Sequence, residues 1–231
     1  MFKNMKKSPP FPHAYAVCAP DNVSIKEYYK NYYEEVFIFL HPFLQPRSSG
    51  LDLIETPLTK FEMMEQTRRI RWDKVIGLLG MADYKELDVG LRTLISGLRD
   101  EYANEDAARK VSGLKEKERI YDPTEGFLPV GLINPLLEAI KSEGHDWIWV
   151  GDEFGSERKQ EYLDDLWKSD ELEWNRKNLF THDNELLITT HWDSHFSMLC
   201  SDKETIERIV KHCDLEGFYC DDKTEIYWSL W

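Results

Sequence analysis

Residues 185–200 read ELLITTHWDSHFSMLC, and this stretch decides the fold class. Two runs of apolar and β-branched residues flank a polar segment that contains Asp193 and Ser194, a good turn pair. The pattern predicts a β-hairpin, and it is followed by a predicted helix at 203–212 and a predicted strand at 217–220. Strands joined by hairpin-like turns and separated by one helix favour an α+β fold over a doubly wound parallel sheet.

The chain just before this hairpin continues the same mixture of strands and helices. The sequence WIWV at 147–150 predicts a buried strand, and the spacing of apolar residues predicts a helix over 156–169. The pair Asn134-Pro135 predicts the N-cap and first residue of an earlier helix. The alternating tail 225–231 predicts a last strand.

The first half of the chain predicts helices. Capping-box patterns, in which a polar residue and a glutamate three positions later satisfy free amide groups, begin at Ser24, Thr59 and Asp83. Apolar residues continue at helical spacing from the first pattern to Leu40, and the second helix is expected to reach Arg71 or beyond. The sequence therefore predicts an α+β protein with a helix-rich N-terminal half packed on a C-terminal mixed or antiparallel sheet with flanking helices.

Charge divides the chain near the place where the predicted structure changes. The 231 residues carry a formal net charge of −14, of which residues 1–115 contribute +1 and residues 116–231 contribute −15. The densest stretch, 143–173, holds 11 acidic and 3 basic residues. We predict a helical part at 1–120 and an acidic α+β part at 121–231, with one continuous domain as the alternative.

The acidic composition also excludes classes of partner. Nucleic acids and anionic lipid surfaces both attract basic proteins, so neither is expected to bind this chain. The longest strongly apolar run, Val36–Leu40, is far shorter than the roughly 20 residues that a membrane-spanning helix needs. No secretory signal is apparent, and the four cysteines lack the two-residue spacing of zinc or redox sites. These features predict a cytoplasmic protein with free thiols.

The hairpin sequence contains the best candidate for a metal site. His191, Asp193 and His195 alternate, and on a continuous strand they would share one face, where two imidazoles and a carboxylate bind divalent transition metals. A fourth ligand would have to come from elsewhere, and His182 and Asp183 are nearest in sequence. If the chain instead turns at 192–194, the histidines flank a hairpin and play a structural role.

Two further motifs have a structural and a functional interpretation. The loop after the predicted strand at 147–150 contains carboxylates that either hold a hard cation or serve as turn and cap residues, namely Asp152, Glu153 and Glu157. Its glycines do not form a nucleotide-binding loop, because the lysine such loops require is missing. The basic run 68–71 is expected on a helix, either as a salt-bridged face or as a site for a small anion or a partner.

Several stretches together resemble a known bacterial family. They are Trp147–Gly155, Trp192–Phe196 and Glu216–Cys220, followed by Trp228. They resemble an uncharacterised family of spore-forming Gram-positive bacteria, domain of unknown function 2711. The resemblance covers most of the chain and implies no activity, cofactor or catalytic residue. The C-terminal pattern also resembles small bacterial immunity proteins at the level of the fold alone.

The sequence lacks a convincing catalytic set, so we expect a non-enzymatic bacterial binding protein. Its acidic, tryptophan-rich half would engage a basic protein partner, as an immunity protein does, and no cofactor is expected. The candidate binding residues are Asp152, Glu153, Glu157, Trp192 and Asp193. The alternative is a metal-dependent hydrolase with a site at His191, Asp193 and His195. A third possibility is a small-molecule site in a cleft between the two halves.

Overall fold

The computed structural model describes residues 16–170 and 178–230. In chain order, the elements are α1 (Ile25–Tyr29), β1 (Glu35–Leu40), β2 (Phe43–Pro46), α2 (Lys60–Gln66), β3 (Thr67–Ile70), α3 (Trp72–Leu79), α4 (Tyr84–Leu94), α5 (Glu105–Ser112), α6 (Leu114–Glu118), α7 (Val130–Ser142), β4 (Trp147–Gly151), β5 (Arg158–Tyr162), α8 (Leu163–Lys168), β6 (Asn178–Phe180), β7 (Leu187–Thr190), β8 (Phe196–Ser201), α9 (Lys203–Cys213) and β9 (Gly217–Tyr219). A 3₁₀ turn at Trp228–Leu230 ends the described chain. The predicted α+β class is confirmed.

Seven of these strands form one antiparallel sheet in the order β5-β4-β6-β7-β8-β1-β9. The hairpin predicted at 185–200 is β7 and β8, which pair from Leu187 opposite Cys200 to Thr190 opposite Ser197. The remaining strands, β2 and β3, form a separate two-stranded ribbon.

Helices cover both faces of the large sheet. On one face, α1, α3, α4, α5 and α6 contribute buried side chains to a core shared with Val36, Ile38 and Leu40 of β1. On the other face, α7, α8 and α9 form a second core with Phe37 and Phe39 of the same strand. Because successive side chains of a strand point to opposite faces, the apolar run of β1 supplies both cores.

The helix predicted over 25–40 is wrong in its second part. Ser24 caps α1, because the Glu27 amide donates a hydrogen bond to the Ser24 hydroxyl. However, α1 ends at Tyr29, and the apolar residues that follow form β1. That strand lies between β8 and β9 and pairs with both. Its β-branched and aromatic residues suit a strand buried on both faces, and this long-range pairing overrides the local helical spacing.

Two other helices were predicted too long for the same reason. Capping at Thr59 is confirmed, but α2 ends at Gln66, and β3 then pairs with β2. The helix predicted over 156–169 is a strand followed by a short helix, because β5 completes an antiparallel hairpin with β4 before α8 begins. In both places a partner strand supplies the backbone hydrogen bonds that a helix would have made internally.

Two predicted ends were also misplaced. Helix α7 begins at Val130 and contains Pro135, while the Asn134 side chain accepts a hydrogen bond from the Lys60 ammonium instead of capping the helix. The tail predicted as a strand forms no strand through residue 230; Ile226 and Trp228 are buried in the first core instead. Residue 231 lies outside the described residues.

The large sheet combines strands from both halves of the sequence. Strand β1 belongs to the near-neutral part, yet its neighbours β8 and β9 belong to the acidic part. The division at residue 120 therefore marks a change in charge, and a domain boundary there stays a prediction. Across residues 16–170 and 178–230, no helix is both long enough and apolar enough to cross a membrane.

Candidate functional site

The motif from His191 to His195 forms the turn between β7 and β8. Of the two alternatives, the structure therefore shows the hairpin. The continuous strand that would align His191, Asp193 and His195 on one face is not formed. Gly126 fits closely against this turn, since a Cβ atom there would lie 2.4 Å from the Trp192 carbonyl oxygen. Trp192 itself is 54% exposed, whereas Asp193 is buried.

His191 lies between two carboxylates. Its Nδ1 is 2.6 Å from Asp193 Oδ1, and its Nε2 is 2.8 Å from Asp21 Oδ1. The Ser194 hydroxyl is also within hydrogen-bond distance of Nδ1, at 2.9 Å. Both ring nitrogens are therefore engaged with protein groups in this arrangement. The imidazole joins the buried turn to the segment that precedes α1.

Beneath the turn lies a fully buried arginine from α4. Arg92 Nε donates to Asp88 Oδ2 at 2.9 Å, and its Nη2 donates to the Ser194 hydroxyl at 2.9 Å and to the Ile226 carbonyl at 3.1 Å. The Tyr227 ring lies 4.8 Å from the guanidinium carbon, a distance typical of a cation–π contact. We call this group the Arg92 cluster; its members are Asp88, Arg92, His191, Asp193, Ser194 and Tyr227.

Asp193 completes the cluster as its second buried carboxylate. Its Oδ1 lies 3.6 Å from Arg92 Nη1, and its Oδ2 accepts a hydrogen bond of 3.1 Å from the Tyr227 hydroxyl. Burial acts to raise the pKa of Asp193, but the hydrogen bond and charge of His191 and the charge of Arg92 outweigh it, so the pKa lies below its usual value. Asp193 is therefore ionised, paired and inside the protein.

His195 faces the same cluster but contributes no charge to it. Burial lowers its pKa to about 3, and the positive charge of Arg92 acts in the same direction while Asp193 opposes it. Its Nδ1 is buried and has no hydrogen-bond partner among the described residues. The proposed metal set of His191, Asp193 and His195 stays a prediction. The arrangement itself is that of a buried ionic cluster, which holds the hairpin turn against α4.

A different group of metal-ligating residues forms at the opposite end of β7. His145, from the α7–β4 connection, lies beside His182 and Asp183 of the β6–β7 turn, and one ligand atom of each lies within 4.8 Å of the others. His145 Nδ1 is 3.8 Å from Asp183 Oδ2. The sequence analysis considered His182 and Asp183 only as possible fourth ligands of a site at His191. It did not identify His145, because His145 comes close to them only through the pairing of β4 with β6.

The candidate residues of the β4–β5 hairpin lie at its tip. Asp152 closes the turn, because its carboxylate accepts hydrogen bonds from the Ser156 hydroxyl and the Glu157 amide. Burial acts to raise its pKa, but these hydrogen bonds outweigh that effect and keep the pKa below its usual value. Glu153 and Glu157 belong to the same turn, and Phe154 at its tip is 80% exposed.

The base of this hairpin and the helix after it carry exposed aromatic rings. Trp147 is 48% exposed and contacts Tyr162 on the paired strand, with ring centroids 5.1 Å apart. Trp167 on α8 is 38% exposed, and its indole donates to Glu138 at 2.9 Å. We call this region the acidic face; it comprises Asp146, Trp147, Tyr162, Asp164, Asp165 and Trp167.

A buried lysine fixes the helix of this face. Lys60 of α2 is fully buried, and its ammonium donates to the carbonyls of Leu166 and Trp167 and to Asn134 Oδ1. These three bonds match the three donors of the ammonium group. Lys60 thereby ties the last turn of α8 to α2 and α7, and it sets the position from which Trp167 projects.

Comparisons with known proteins give a family but no activity. The sequence profile of a family described as proteins of unknown function, DUF2711, matches residues 21–230. A protein of Bacillus subtilis (strain 168), described as uncharacterized protein YwbB, is 23% identical over 163 residues, which cover 70% of this chain and 72% of that protein. No solved structure matches the chain.

Proposed function

The chain belongs to the DUF2711 family, as its motifs predicted, and we propose that it is a binding protein whose acidic face engages a basic protein partner. The observation that carries this proposal is the exposure of Trp147 and Trp167 among carboxylates. Large aromatic side chains are enriched at protein interfaces, because they bury much area for little conformational entropy. On an acidic surface that serves only to keep the protein in solution, exposed tryptophans would bury no area against a partner.

The backbone around the face supports this proposal. Trp147 and Tyr162 lie opposite each other on paired strands, and the Leu163 amide donates to the Asp146 carbonyl at 2.9 Å, so α8 begins beside Asp146. Side chains held by regular elements keep their positions when a partner binds, which lowers the entropic cost of association.

The charge of the face favours a basic partner. Asp146 and Asp165 are exposed, and neither forms an ion pair within the part of the chain that the structure describes, although Lys141 lies close enough to Asp146 for their charges to interact. Asp164 is paired with Lys141, so its charge is partly compensated. Unpaired carboxylates beside aromatic rings attract lysine and arginine side chains, and they steer a basic protein toward the face.

We test the proposal with a lysine- and arginine-rich peptide as the probe and two variants of equal net charge. One variant carries Asp146→Lys and Asp165→Lys on the acidic face. The other carries Asp100→Lys and Glu101→Lys, which are also exposed but lie in the near-neutral half. We expect the first pair to weaken binding at least tenfold in fluorescence anisotropy, and the second pair to change it less than about threefold.

A third variant separates aromatic contact from charge. Trp147→Ala leaves the charge unchanged, and we expect it to weaken peptide binding several-fold, with Tyr102→Ala, an exposed tyrosine of the near-neutral half, as its control. Equal loss of affinity in both charge pairs would mean that only total charge matters, and it would overturn the proposal. The hydrolase alternative is not favoured by any observation at the Arg92 cluster.

A further inference from the structure

A cavity beside the two-stranded ribbon is lined by four arginines and by two carboxylates, Asp214 and Glu216. It lies between the β2–β3 ribbon, the first turn of α7 and the connection from α9 to β9, and its volume is about 340 Å³. Its basic lining consists of Arg47, Arg68, Arg69 and Arg71. We propose that this arginine cavity binds a small molecule through an oxyanion, either a phosphate or a carboxylate group.

Strand geometry determines which arginine side chains face the cavity. Arg69 pairs with Leu44 and Arg68 with Gln45, and side chains alternate along each strand. Arg69 therefore shares a face with Leu44 and Thr67, which also line the cavity. Arg68 alternates with Arg69 on the strand, and although it also lines the cavity, its guanidinium is held by Gln45 Oε1, to which Nε donates at 2.9 Å.

The arginines are oriented by backbone carbonyls and lack carboxylate partners. Arg47 Nε donates to the Thr67 carbonyl at 3.0 Å, and Arg69 Nη1 donates to the Cys213 carbonyl at 3.0 Å. Within residues 16–170 and 178–230, neither guanidinium has a carboxylate oxygen within 4.0 Å. Each has five N–H donors, so most of them remain for a ligand. Uncompensated arginines at one cavity stand out in a chain of net charge −14.

Arg71 forms the other side of the lining and differs from these two. It lies 3.3 Å from Asp73, 3.5 Å from Asp214 and 3.8 Å from Glu216, measured between side-chain nitrogen and oxygen atoms. Its charge is therefore compensated within the protein. We assign oxyanion binding to Arg47 and Arg69, and we exclude Arg71 from the ligand set.

The start of α7 adds to the positive character of the cavity. Gly131 and Leu132 line it, and the helix has no side-chain cap at Pro129. The first amides of a helix favour bound anions, although at this end the Leu132 amide already donates to the Pro129 carbonyl at 2.8 Å. A Cβ atom at Gly131 would lie 3.6 Å from the Arg69 Cγ and Cδ atoms, so the Arg69 side chain passes directly over this helix end. Two independent features thus point to the same ligand charge.

The remaining lining indicates the shape of the ligand. Leu40, Leu44 and Leu132 supply apolar surface beside the arginines. A volume of about 340 Å³ is at the lower end of the range for small-molecule sites. These features fit a molecule with one oxyanion group and a small apolar body.

We test the inference by isothermal titration of the full chain with pyrophosphate and with citrate, using sodium chloride of matched ionic strength as the reference. The first variant carries Arg47→Gln and Arg69→Gln, and the second carries Arg47→Gln alone, which removes only one internal hydrogen bond. The control carries Arg99→Gln and Arg109→Gln, which remove equal charge from exposed positions outside the cavity.

We expect saturable binding of at least one probe, weakened at least tenfold by the double variant, several-fold by Arg47→Gln, and less than twofold by the control. Binding of pyrophosphate alone would identify a phosphate site, and binding of citrate alone a carboxylate site. Absence of saturable binding of both probes to the wild-type chain, or equal loss in the control, would overturn the inference. Binding of the basic peptide should be unchanged by Arg47→Gln, so this test is independent of the proposed function.

Discussion

The Arg92 cluster and the acidic face use the same kinds of side chain for opposite purposes. Both combine carboxylates with aromatic rings. The acidic face lies within the C-terminal half, and the cluster joins α4 to residues of that half. In the cluster, Asp88 and Asp193 are buried and paired with Arg92, whereas on the face Asp146 and Asp165 are exposed. Buried charges must be paired, so removing a partner costs folding free energy, while exposed charges act on whatever approaches them. Burial thus separates structural residues from candidates for binding.

The largest effect is expected from the buried arginine. Arg92→Met leaves Asp88 and Asp193 without their cation, and we expect the free energy of unfolding to fall by about 3–5 kcal/mol in urea denaturation. Restoring neutrality with Asp88→Asn in the same chain should recover part of the loss. Arg109→Met, which breaks an exposed pair with Asp106, serves as the control and should leave the stability unchanged within error. A similarly small effect of Arg92→Met would show that the cluster does not hold the fold together.

A smaller effect is expected from a change of one pH unit, because two buried histidines stay neutral in the folded chain. Burial lowers the pKa of both His41 and His195 to about 3. The unfolded chain takes up these protons near pH 6.5 and the folded chain does not, so stability falls as the pH drops below 6.5 toward 3. Asp122 opposes this trend between about pH 4 and 6, because burial raises its pKa to about 6 and its folded form holds a proton.

The contribution of one histidine can be isolated by substitution. Between pH 6 and pH 5, His195→Gln should reduce the loss of unfolding free energy by about 1 kcal/mol relative to the wild type. His212→Gln, at an exposed position near the end of α9, provides the comparison. An unchanged pH dependence in His195→Gln would mean that His195 becomes protonated without unfolding.

The smallest effect on stability is expected at the tip of the β4–β5 hairpin. Phe154 is 80% exposed, so Phe154→Ser removes little buried area and should change the free energy of unfolding by no more than about 0.5 kcal/mol. Thermal denaturation measures this directly. A loss comparable to that of a core phenylalanine would show that this ring is covered in solution and that the hairpin tip is not a free surface.

Local sequence patterns correctly predicted the elements that depend on contacts between residues close in sequence, namely helix caps and a hairpin turn. Thr59 and Asp83 cap helices as their spacing indicated, and the hairpin at 185–200 has its turn at the polar segment. Errors occurred where a distant strand decides the conformation. The run at 36–40 is a strand because β8 and β9 lie on either side of it, and neither neighbour is close in sequence.

The site was less predictable than the fold for a related reason. His191 and Asp193 were singled out from their spacing, but their partners Asp21 and Arg92 come from distant segments and carry no local motif. The charge count likewise located the acidic half without distinguishing buried from exposed carboxylates. Only the packing of α4 against the 191–195 turn shows that Asp193 is internal.

The central claim is that the acidic face is the binding surface, and indole N–H signals test it most directly. In ¹H–¹⁵N spectra assigned by single Trp→Phe variants, we titrate the basic peptide and follow each tryptophan. We expect the signals of Trp147 and Trp167 to shift, while Trp72, which is buried, and Trp192, which is exposed on the other hairpin, stay in place. Shifts at Trp192 without shifts at Trp147 and Trp167 would contradict the account.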